Sequence, residues 1–419
     1  MKVLWLTNTP SLSQDNSGSK LIAGGWIASL EKNLIKNENI TLAIAFYSKK
    51  NIEHFQINSA KYYPICAGRE RLLYRLKLWI MDCYISNRDI KEIISIISDF
   101  QPDIIHVHGT ELGFAKITEY TNIPVVISIQ GNLSVYQKMF FRGISCIDIF
   151  KYSCLKDIFE QILYWKESIK FIKRSIKERE ILSRCKYIVG RTNWDRRIAS
   201  ILAPGAIYFH NDEILRDTFY EYNWEEKIIK NKKFMIHTTT SSPLYKGLET
   251  ICETAFFLDN NTQLDFVWNI AGLNKDDFVV NLCKRKIQGK YFERRLKFLG
   301  KLHSADLVKY MLEADLFVTA SHIENSSNSL CEAMILGMPC IASFAGGTDT
   351  ILKSGVEGLL FQDGDPYSLA GTILELINNY SESVRLGYQA REKALKRHDK
   401  NKIVEDMVRI YSQITGKNN

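Results

Sequence analysis

Short apolar runs alternate with longer amphipathic stretches along most of the chain. The apolar runs predict strands at residues 2–7, 41–47, 103–107, 124–129, 187–190 and 206–209, and again at 234–238, 264–270, 296–299, 316–319 and 339–343. The amphipathic stretches predict helices, for example at 26–36, 91–99, 248–258, 305–313 and 329–336. Strands that alternate with helices are typical of parallel α/β sheets, and each half of the chain carries its own series.

The chain is too long for one hydrophobic core. Its 419 residues predict two domains of roughly 200 residues each. A polar stretch without clear period, at 211–232, marks the junction, so the predicted domains are 1–215 and 216–400. Residues 401–419 form an amphipathic helix that could pack back on the first domain. We therefore expect two doubly wound, Rossmann-like domains that face each other across a cleft, with ligands beyond the carboxyl ends of the strands.

Composition and charge exclude several classes of protein. The net charge of +8 is modest, whereas a nucleic-acid-binding protein usually carries a stronger basic stripe. The nine cysteines are odd in number and contain no Cys-x-x-Cys pair, which argues against a disulfide framework or a zinc site. No signal peptide is recognisable, and no apolar run approaches the ~18 residues that span a bilayer. The expected location is the cytoplasm.

One stretch is unusually basic. Residues 165–197 contain eleven Lys or Arg against four Asp or Glu. Apolar side chains recur within and just before it at helical spacing, at Ile162, Trp165, Ile169, Ile172 and Ile176. Such a helix could pack on its own domain with a solvated charged face, or lie on the inner face of an anionic membrane as a peripheral contact.

The segment from Thr319 to residue 343 contains most of the candidate binding residues of the second half. A strand ends near Thr319, a polar loop follows, and a helix starts near Ser329 and stops at Gly337. The start of a helix presents unpaired N–H groups and a partial positive charge, which suit a diphosphate. The loop side chains are polar, at Asn325, Ser326, Ser327, Asn328 and Ser329.

Two carboxylates flank this loop. Glu324 lies in the loop and Glu332 in the first turn of the helix. Ionised carboxylates only accept hydrogen bonds, so they suit the hydroxyls of a ribose and a sugar. A second interpretation explains Glu332 by helix stability alone, because Ser329-x-x-Glu332 fits a capping box.

The segment resembles the Glu-x7-Glu motif of the retaining GT-B glycosyltransferases, in particular glycosyltransferase family 4 (group 1). Glu332-Ala-Met, 337–343 and Gly346-Gly347 follow the family's order and spacing, and the likeness extends through 299–302, 314–318 and 355–361. The first half of the chain resembles the family more loosely. The resemblance implies the GT-B fold and a nucleotide-sugar donor.

The resemblance also implies roles for individual residues. Glu324 would contact the donor sugar and stabilise charge, and Glu332 would hold the ribose hydroxyls. The amides of Ser329 and Leu330 would meet the diphosphate, and the loop with Gly300, Lys301 and Leu302 would line the base. Lys246, which precedes Gly247 at a helix start, would bind the donor phosphates.

The chain departs from the family at one phosphate contact. The family usually carries an arginine five or six residues before the lysine, where this chain has Ser241 and Thr240. Arg142 and Arg191 are the replacements considered from sequence.

Further candidates lie at strand ends in the first half. The family presses a Gly-Gly loop, here Gly24-Gly25, near the phosphates and the acceptor. Gln130, Gly131 and Asn132 follow one strand, and many relatives have a histidine at the position of Gln130. His108 closes another strand and is a candidate for contact with substrate or for a buried structural role, whereas His106 is predicted to point to the opposite face.

The predicted function is transfer of a sugar from a UDP- or GDP-sugar to a glycan or lipid-linked acceptor, in bacterial surface polysaccharide synthesis. No metal or cofactor is expected, because Lys246 and helix amides would do a metal's electrostatic work. Two alternatives stay open: a sugar-nucleotide 2-epimerase on the same fold, and a non-catalytic nucleotide-sugar binding protein.

Overall fold

A computed structural model describes residues 1–16, 25–69, 71–73, 84–226, 233–287 and 291–417. The chain forms two compact units, and each draws on more than one segment. Unit 1 comprises Met1–Ser134, Lys170–Ile214 and His398–Asn419, and unit 2 comprises Val135–Ile169 and Leu215–Arg397. The sequence placed a single boundary near residue 215; in the structure, residues 135–169 group with the later part of the chain.

Unit 1 contains an eight-stranded sheet. Its strands are β1 (Lys2–Thr7), β2 (Thr41–Tyr47), β3 (Phe55–Ile57), β4 (Ala60–Ile65), β5 (Ile104–His108), β6 (Val125–Ser128), β7 (Tyr187–Gly190) and β8 (Ile207–His210). The order in the sheet is β3-β4-β2-β1-β5-β6-β7-β8. All pairings are parallel except that of β3 with β4.

Unit 2 contains a six-stranded, fully parallel sheet. Its strands are β9 (Phe234–Thr239), β10 (Phe266–Ala271), β11 (Leu296–Gly300), β12 (Leu316–Thr319), β13 (Cys340–Phe344) and β14 (Leu359–Gln362), in the order β11-β10-β9-β12-β13-β14. Relative to chain order this is 3-2-1-4-5-6, the arrangement of doubly wound folds. The prediction of two doubly wound α/β domains is therefore confirmed.

Helices connect the strands throughout the described residues. They are α1 (Trp26–Leu34), α2 (Asn87–Phe100), α3 (Leu133–Met139), α4 (Cys146–Tyr152), α5 (Ile158–Leu182), α6 (Asn193–Leu202), α7 (Asp217–Tyr220), α8 (Leu248–Asn261), α9 (Phe278–Ile287), α10 (Tyr291–Arg295), α11 (Ser304–Glu313), α12 (Asn328–Leu336), α13 (Thr348–Ile351), α14 (Pro366–Asn378), α15 (Tyr380–Arg397) and α16 (Lys400–Thr415). Among the described residues, no helix combines the length and the apolar character needed to cross a membrane.

Local sequence signals explain several helix ends. Ser86 and Asp89 form a capping box at the start of α2. Gly337 ends α12 in the left-handed conformation, with φ of 85°. Asp399 caps α16 by accepting a hydrogen bond from the Lys402 N–H.

The last helix completes the core of unit 1. Ile403, Met407, Ile410 and Tyr411 of α16 are buried in a cluster with β1, β2 and α1. The Tyr411 hydroxyl accepts a hydrogen bond from Trp5 Nε1 at 3.0 Å and lies 2.6 Å from His106 Nδ1. The C-terminal helix therefore belongs to the unit that contains the first strand.

Candidate functional site

The strand order of unit 2 places two loops side by side. It reverses between β9 and β12, which are hydrogen-bonded neighbours. Loops that leave the carboxyl ends of such neighbours in opposite directions open a crevice for ligands. The loop after β9 carries Lys246 and the loop after β12 carries Glu324, so both predicted catalytic residues lie at this switch point.

Lys246 and Glu324 contact each other directly. The Lys246 ammonium donates to the Glu324 carboxylate, and Ser321 Oγ donates to the same oxygen at 3.0 Å. Both side chains are partly exposed. The pair thus presents a fixed cation and a fixed anion side by side, where a ligand can reach both.

Close backbone approaches hold the two loops together. The His322 N–H donates to the Tyr245 carbonyl at 2.8 Å. Gly247 has φ of 71°, and a Cβ there would lie 1.9 Å from the Ala320 carbonyl oxygen. Gly346 is pressed in the same way against the Glu324 carbonyl, which accepts the Gly347 N–H at 2.9 Å. Only glycine fits these contacts, so Lys246 and Glu324 depend on them for position.

The start of α12 corrects one interpretation from sequence. The N-cap residue is Ser327, whose hydroxyl accepts from the Leu330 N–H at 3.5 Å and lies 3.2 Å from Ser329 Oγ. Ser329 is itself helical, so the proposed Ser329-x-x-Glu332 capping box is wrong. The other loop residues lie as expected before or at the helix start: Asn325 is buried, and Ser326 and Asn328 are partly exposed.

Glu332 has a partner that sequence reasoning missed. Arg216 Nε and Nη2 donate to its two carboxylate oxygens, each at 2.7 Å, and Arg216 Nη1 donates to Ser304 Oγ at 3.2 Å. Burial raises the pKa of Glu332, and Arg216 opposes that rise. The buried carboxylate therefore needs Arg216, and each oxygen still has a lone pair for a ligand hydroxyl. A buried acid in the motif was the only signal for such a cation.

His322, in the loop after β12, bridges two carboxylates. Its Nε2 lies 2.7 Å from Glu249 Oε1, and its Nδ1 lies 2.6 Å from Asp363 Oδ1. Burial disfavours the charged imidazole, but the hydrogen bonds with Asp363 and Glu249 outweigh it and raise the pKa of His322 to about 9. Arg142, one of the two proposed replacements for the missing arginine, is exposed and lies 3.6 Å from Asp363.

The remaining predicted donor residues of unit 2 surround β10 and β11. Gly300 ends β11 with φ of 68°, and its carbonyl accepts from the Gly272 N–H at 2.7 Å. Lys301 is exposed, and Leu302 packs partly into the core beside α12. At the departure from the family pattern, Thr240 is partly buried and Ser241 is exposed.

Unit 1 has a switch point of its own, between β1 and β5. His106 and His108 lie at the end of β5, and their rings stack with centroids 3.9 Å apart. The prediction that His106 faces away from His108 is wrong, because residues two apart on a strand share a face. His106 hydrogen-bonds with Tyr411 and Ser128, each at 2.6 Å, so both of its ring nitrogens are engaged within unit 1.

His108 is buried in an aromatic setting. Its ring meets Trp5 and Trp26 edge-on, at 4.6 and 5.5 Å between centroids. Burial, with His106 and Arg191 nearby, holds the pKa of His108 well below its usual value, so the ring is neutral. Neither ring nitrogen has a hydrogen-bond partner among the described residues.

The loop after β6 lies beside another buried acid that the sequence did not reveal. Gln130 and Gly131 are partly exposed, and Asn132 is buried with neither amide atom hydrogen-bonded among the described residues. Glu178, from α5, accepts from the Ser134 N–H at 2.8 Å and from Thr110 Oγ1 at 2.6 Å. One carboxylate thus ties the loops after β5 and β6 together.

Arg191 follows β7 in unit 1. Its guanidinium lies 4.0 Å from the Trp26 ring centroid and 3.5 Å from Glu213 Oε2. Gly25 forms the N-cap of α1. Gly24, the other member of the predicted Gly-Gly loop, lies outside the described residues.

Part of the chain is similar to the group 1 glycosyltransferases. Residues 221–393 match the family model described as "Glycosyl transferases group 1". The N-acetyl-alpha-D-glucosaminyl L-malate synthase of Bacillus anthracis is 28% identical over 128 residues, which are 30% of this chain and 33% of that protein. The chain thus matches about a third of the length of that relative.

Solved structures match almost the whole chain at low identity. Sucrose-phosphate synthase from Thermosynechococcus elongatus aligns with a TM-score of 0.72 and 13% identity, over 99% of both chains. HepE of Anabaena, in complex with UDP and glucose, aligns with a TM-score of 0.67 and 16% identity, over 99% of this chain and 100% of that one. These likenesses show that the fold is GT-B.

Proposed function

We propose that this protein is a retaining glycosyltransferase that uses a UDP- or GDP-sugar and acts on a glycan or lipid-linked acceptor of a bacterial surface polysaccharide. The observation that carries the proposal is the Lys246–Glu324 pair at the switch point of unit 2. Anabaena HepE, which shares the fold, was solved with UDP and glucose. The family resemblance of the Glu-x7-Glu segment supplies the retaining assignment.

The donor binds unit 2 in this proposal. The diphosphate accepts hydrogen bonds from amides at the start of α12, where the helix dipole favours negative charge. Lys246 adds a full positive charge beside them. Glu332 accepts from the ribose hydroxyls with the lone pairs that Arg216 leaves free.

In this proposal, charged and polar groups around the donor stabilise the transfer of the sugar. The acceptor hydroxyl attacks the anomeric carbon on the face from which the diphosphate leaves, the bond from carbon to phosphate oxygen breaks, and the hydroxyl proton passes to the departing phosphate. Lys246 and the helix amides stabilise negative charge on the leaving group, and Glu324 stabilises positive charge on the sugar. No protein nucleophile or metal is required.

The acceptor uses polar groups of unit 1. His108 and Asn132 are buried, and the described residues give His108 nitrogens and the Asn132 amide no partner. Buried polar groups are normally hydrogen-bonded, so unpaired ones at strand ends suit a ligand's hydroxyls. Neutral His108 can donate from one nitrogen and accept at the other.

A donor-binding test comes first. Thermal unfolding would be followed with UDP-glucose, UDP-N-acetylglucosamine, GDP-mannose, ADP-glucose and a CMP-sugar. We expect one nucleotide class to stabilise the wild type by about 2.7 kcal/mol at 100 times its dissociation constant. Lys246→Ala should abolish the shift, and Lys309→Ala, an exposed lysine of the same unit, should keep it. No shift with any donor in folded protein would overturn the donor proposal.

Product analysis separates the proposal from its rivals. Incubation with the stabilising donor should release nucleoside diphosphate, and EDTA should not slow the release. For UDP-glucose, NMR of the first sugar transferred or hydrolysed should show the α-anomer; the β-anomer would exclude retention. A 2-epimerised sugar would identify an epimerase, and binding without any turnover across acceptor extracts would identify a binding protein.

A further inference from the structure

Helix α5 carries an apolar face that the rest of the described chain covers only in part. Ile162, Trp165, Ile169, Ile172 and Ile176 follow one another at spacings of three and four residues, so they share one side of the helix. Each is between 43% and 55% exposed. The helix packs on the rest of the chain through Ile181 and Leu182, whereas this stripe stays about half exposed.

The exposure is concentrated in one part of the chain. Of the 22 large apolar side chains that are exposed among the described residues, ten fall between residues 147 and 176. Isolated exposed apolar residues are normal, but a contiguous set marks an interaction surface. Helix α16 shows the contrast, because its apolar stripe is equally periodic and is buried.

Basic side chains border this face. Helix α5 contains six Lys or Arg and four Asp or Glu. Glu178 is buried among hydrogen bonds and Arg174 donates to the Glu111 carbonyl, so the other five basic residues face three acids on the surface of the helix. A cavity of about 550 Å³ in unit 1 is lined by Lys116, Lys173, Arg174 and Lys177, together with Glu119 and Glu180.

We propose that this face of α5 docks on the surface of an anionic lipid bilayer, with the helix lying in the plane of the interface. The isoleucines and Trp165 enter the boundary between headgroups and acyl chains, and the lysines meet lipid phosphates. Tryptophan suits this depth because its ring is apolar and its N–H is polar. A second copy of the chain fits less well, since two such faces would bring lysines against lysines.

Vesicle binding tests the proposal without donor or turnover, so its result is independent of the proposed reaction. The full chain would be sedimented with vesicles of phosphatidylglycerol and phosphatidylcholine, or of phosphatidylcholine alone. We expect binding to the anionic vesicles that weakens at high salt. The variant Ile162→Ser/Ile169→Ser/Ile172→Ser should bind at least about tenfold more weakly.

Matched variants control for folding and for general stickiness. Ile201→Ser removes an isoleucine that is 77% exposed elsewhere in the chain, and it should bind like the wild type. Lys173→Gln/Lys177→Gln should weaken binding to anionic vesicles, whereas Lys402→Gln should not. Thermal midpoints of all variants would confirm that they fold.

Two results would overturn the proposal. One is wild-type protein that does not sediment with anionic vesicles, or whose binding is unchanged in the triple variant. The other is a wild-type dimer without vesicle binding that becomes monomeric in the triple variant, which would assign the face to a second copy.

Discussion

A buried charge at the candidate site depends on an oppositely charged partner. The carboxylate of Glu332 is almost fully buried, and the fork of Arg216 satisfies both of its oxygens. Removing one member of such a pair leaves an uncompensated charge, which costs more than the pair itself contributes. The pair therefore links the stability of unit 2 to a residue with a proposed role in donor binding.

Arg216→Met should lower the free energy of unfolding by about 3 kcal/mol, because it leaves the buried carboxylate of Glu332 without its cationic partner. The double variant Arg216→Met/Glu332→Met should recover part of that loss. Urea unfolding measures both. Arg385→Met, which removes an exposed pair with Glu382, serves as the control and should leave stability unchanged. If the double variant loses as much stability as the two single variants lose together, the energetic coupling between Arg216 and Glu332 is contradicted.

His322 predicts a pH dependence of stability. It binds its proton more tightly in the folded protein, with a pKa of about 9, than in the unfolded chain, with a pKa of 6.5. Its contribution is therefore complete below pH 6.5 and disappears as the pH rises through about 9, and it is on the order of 3 kcal/mol.

Unfolding of wild type and His322→Gln from pH 6 to 10 measures this contribution. The two free energies should differ most at pH 6 and converge by pH 10. His303→Gln, an exposed histidine of the same unit, should run parallel to the wild type. A constant difference across the range would show that His322 acts without its charge.

The sequence located the proposed catalytic residues better than it located their partners. Lys246 and Glu324 stand out because each follows a predicted strand and belongs to a motif. Arg216 sits in a stretch without period, and Asp363 occurs in a turn-forming Asp-Gly-Asp segment. Neither position indicates which carboxylate or imidazole it meets, because those contacts join residues 116 and 41 positions apart.

At the scale of elements, the sequence was informative where the hydrophobic periodicity was strong and where residues that end helices or strands were clear. Four strands match their predicted bounds, at Lys2–Thr7, Thr41–Tyr47, Tyr187–Gly190 and Leu316–Thr319. Strands β3 and β4 were missed. β4 contains Lys61 and Pro64 and pairs on one side with the short antiparallel β3, so tertiary pairing overrides a weak local preference there.

A substitution in the Lys246-Gly247 turn tests whether close backbone contacts hold the loops of unit 2 in position. Gly247→Ala would place a Cβ on the Ala320 carbonyl in addition to straining the backbone. Gly355→Ala is a matched control, because Gly355 has a similar φ of 77° and open space around it. We expect the control to lose about 1 kcal/mol of stability and Gly247→Ala clearly more. Equal losses in urea unfolding would contradict the close approach.

At the scale of the whole molecule, distant ends of the sequence build one unit. The hydroxyl of Tyr411, in the last helix, joins Trp5 of the first strand and His106 of the fifth. Sequence indicated an amphipathic C-terminal helix, and its apolar stripe had to be buried somewhere. The apolar pattern alone does not distinguish α16 from α5, because both stripes have helical period but only that of α16 is fully buried.

Tyr411→Phe should lower the free energy of unfolding by about 2 kcal/mol, because it leaves buried nitrogens of Trp5 and His106 without their shared partner. Tyr388→Phe, at an exposed tyrosine, should have no effect. Chemical denaturation followed by tryptophan fluorescence measures both. An unchanged midpoint for Tyr411→Phe would show that packing alone holds the helix.

The three-segment composition of unit 1 has a consequence for biosynthesis. β1 leaves the ribosome before any of unit 2 and α16 only after all of unit 2, so we expect the core around the first strand to close late. Unit 2 ends at Arg397 and has all of its segments earlier. We therefore expect unit 2 to fold before unit 1, the reverse of the usual order in which the N-terminal domain folds first. Nascent chains stalled before α16 should expose Trp5 and its neighbours to chaperones.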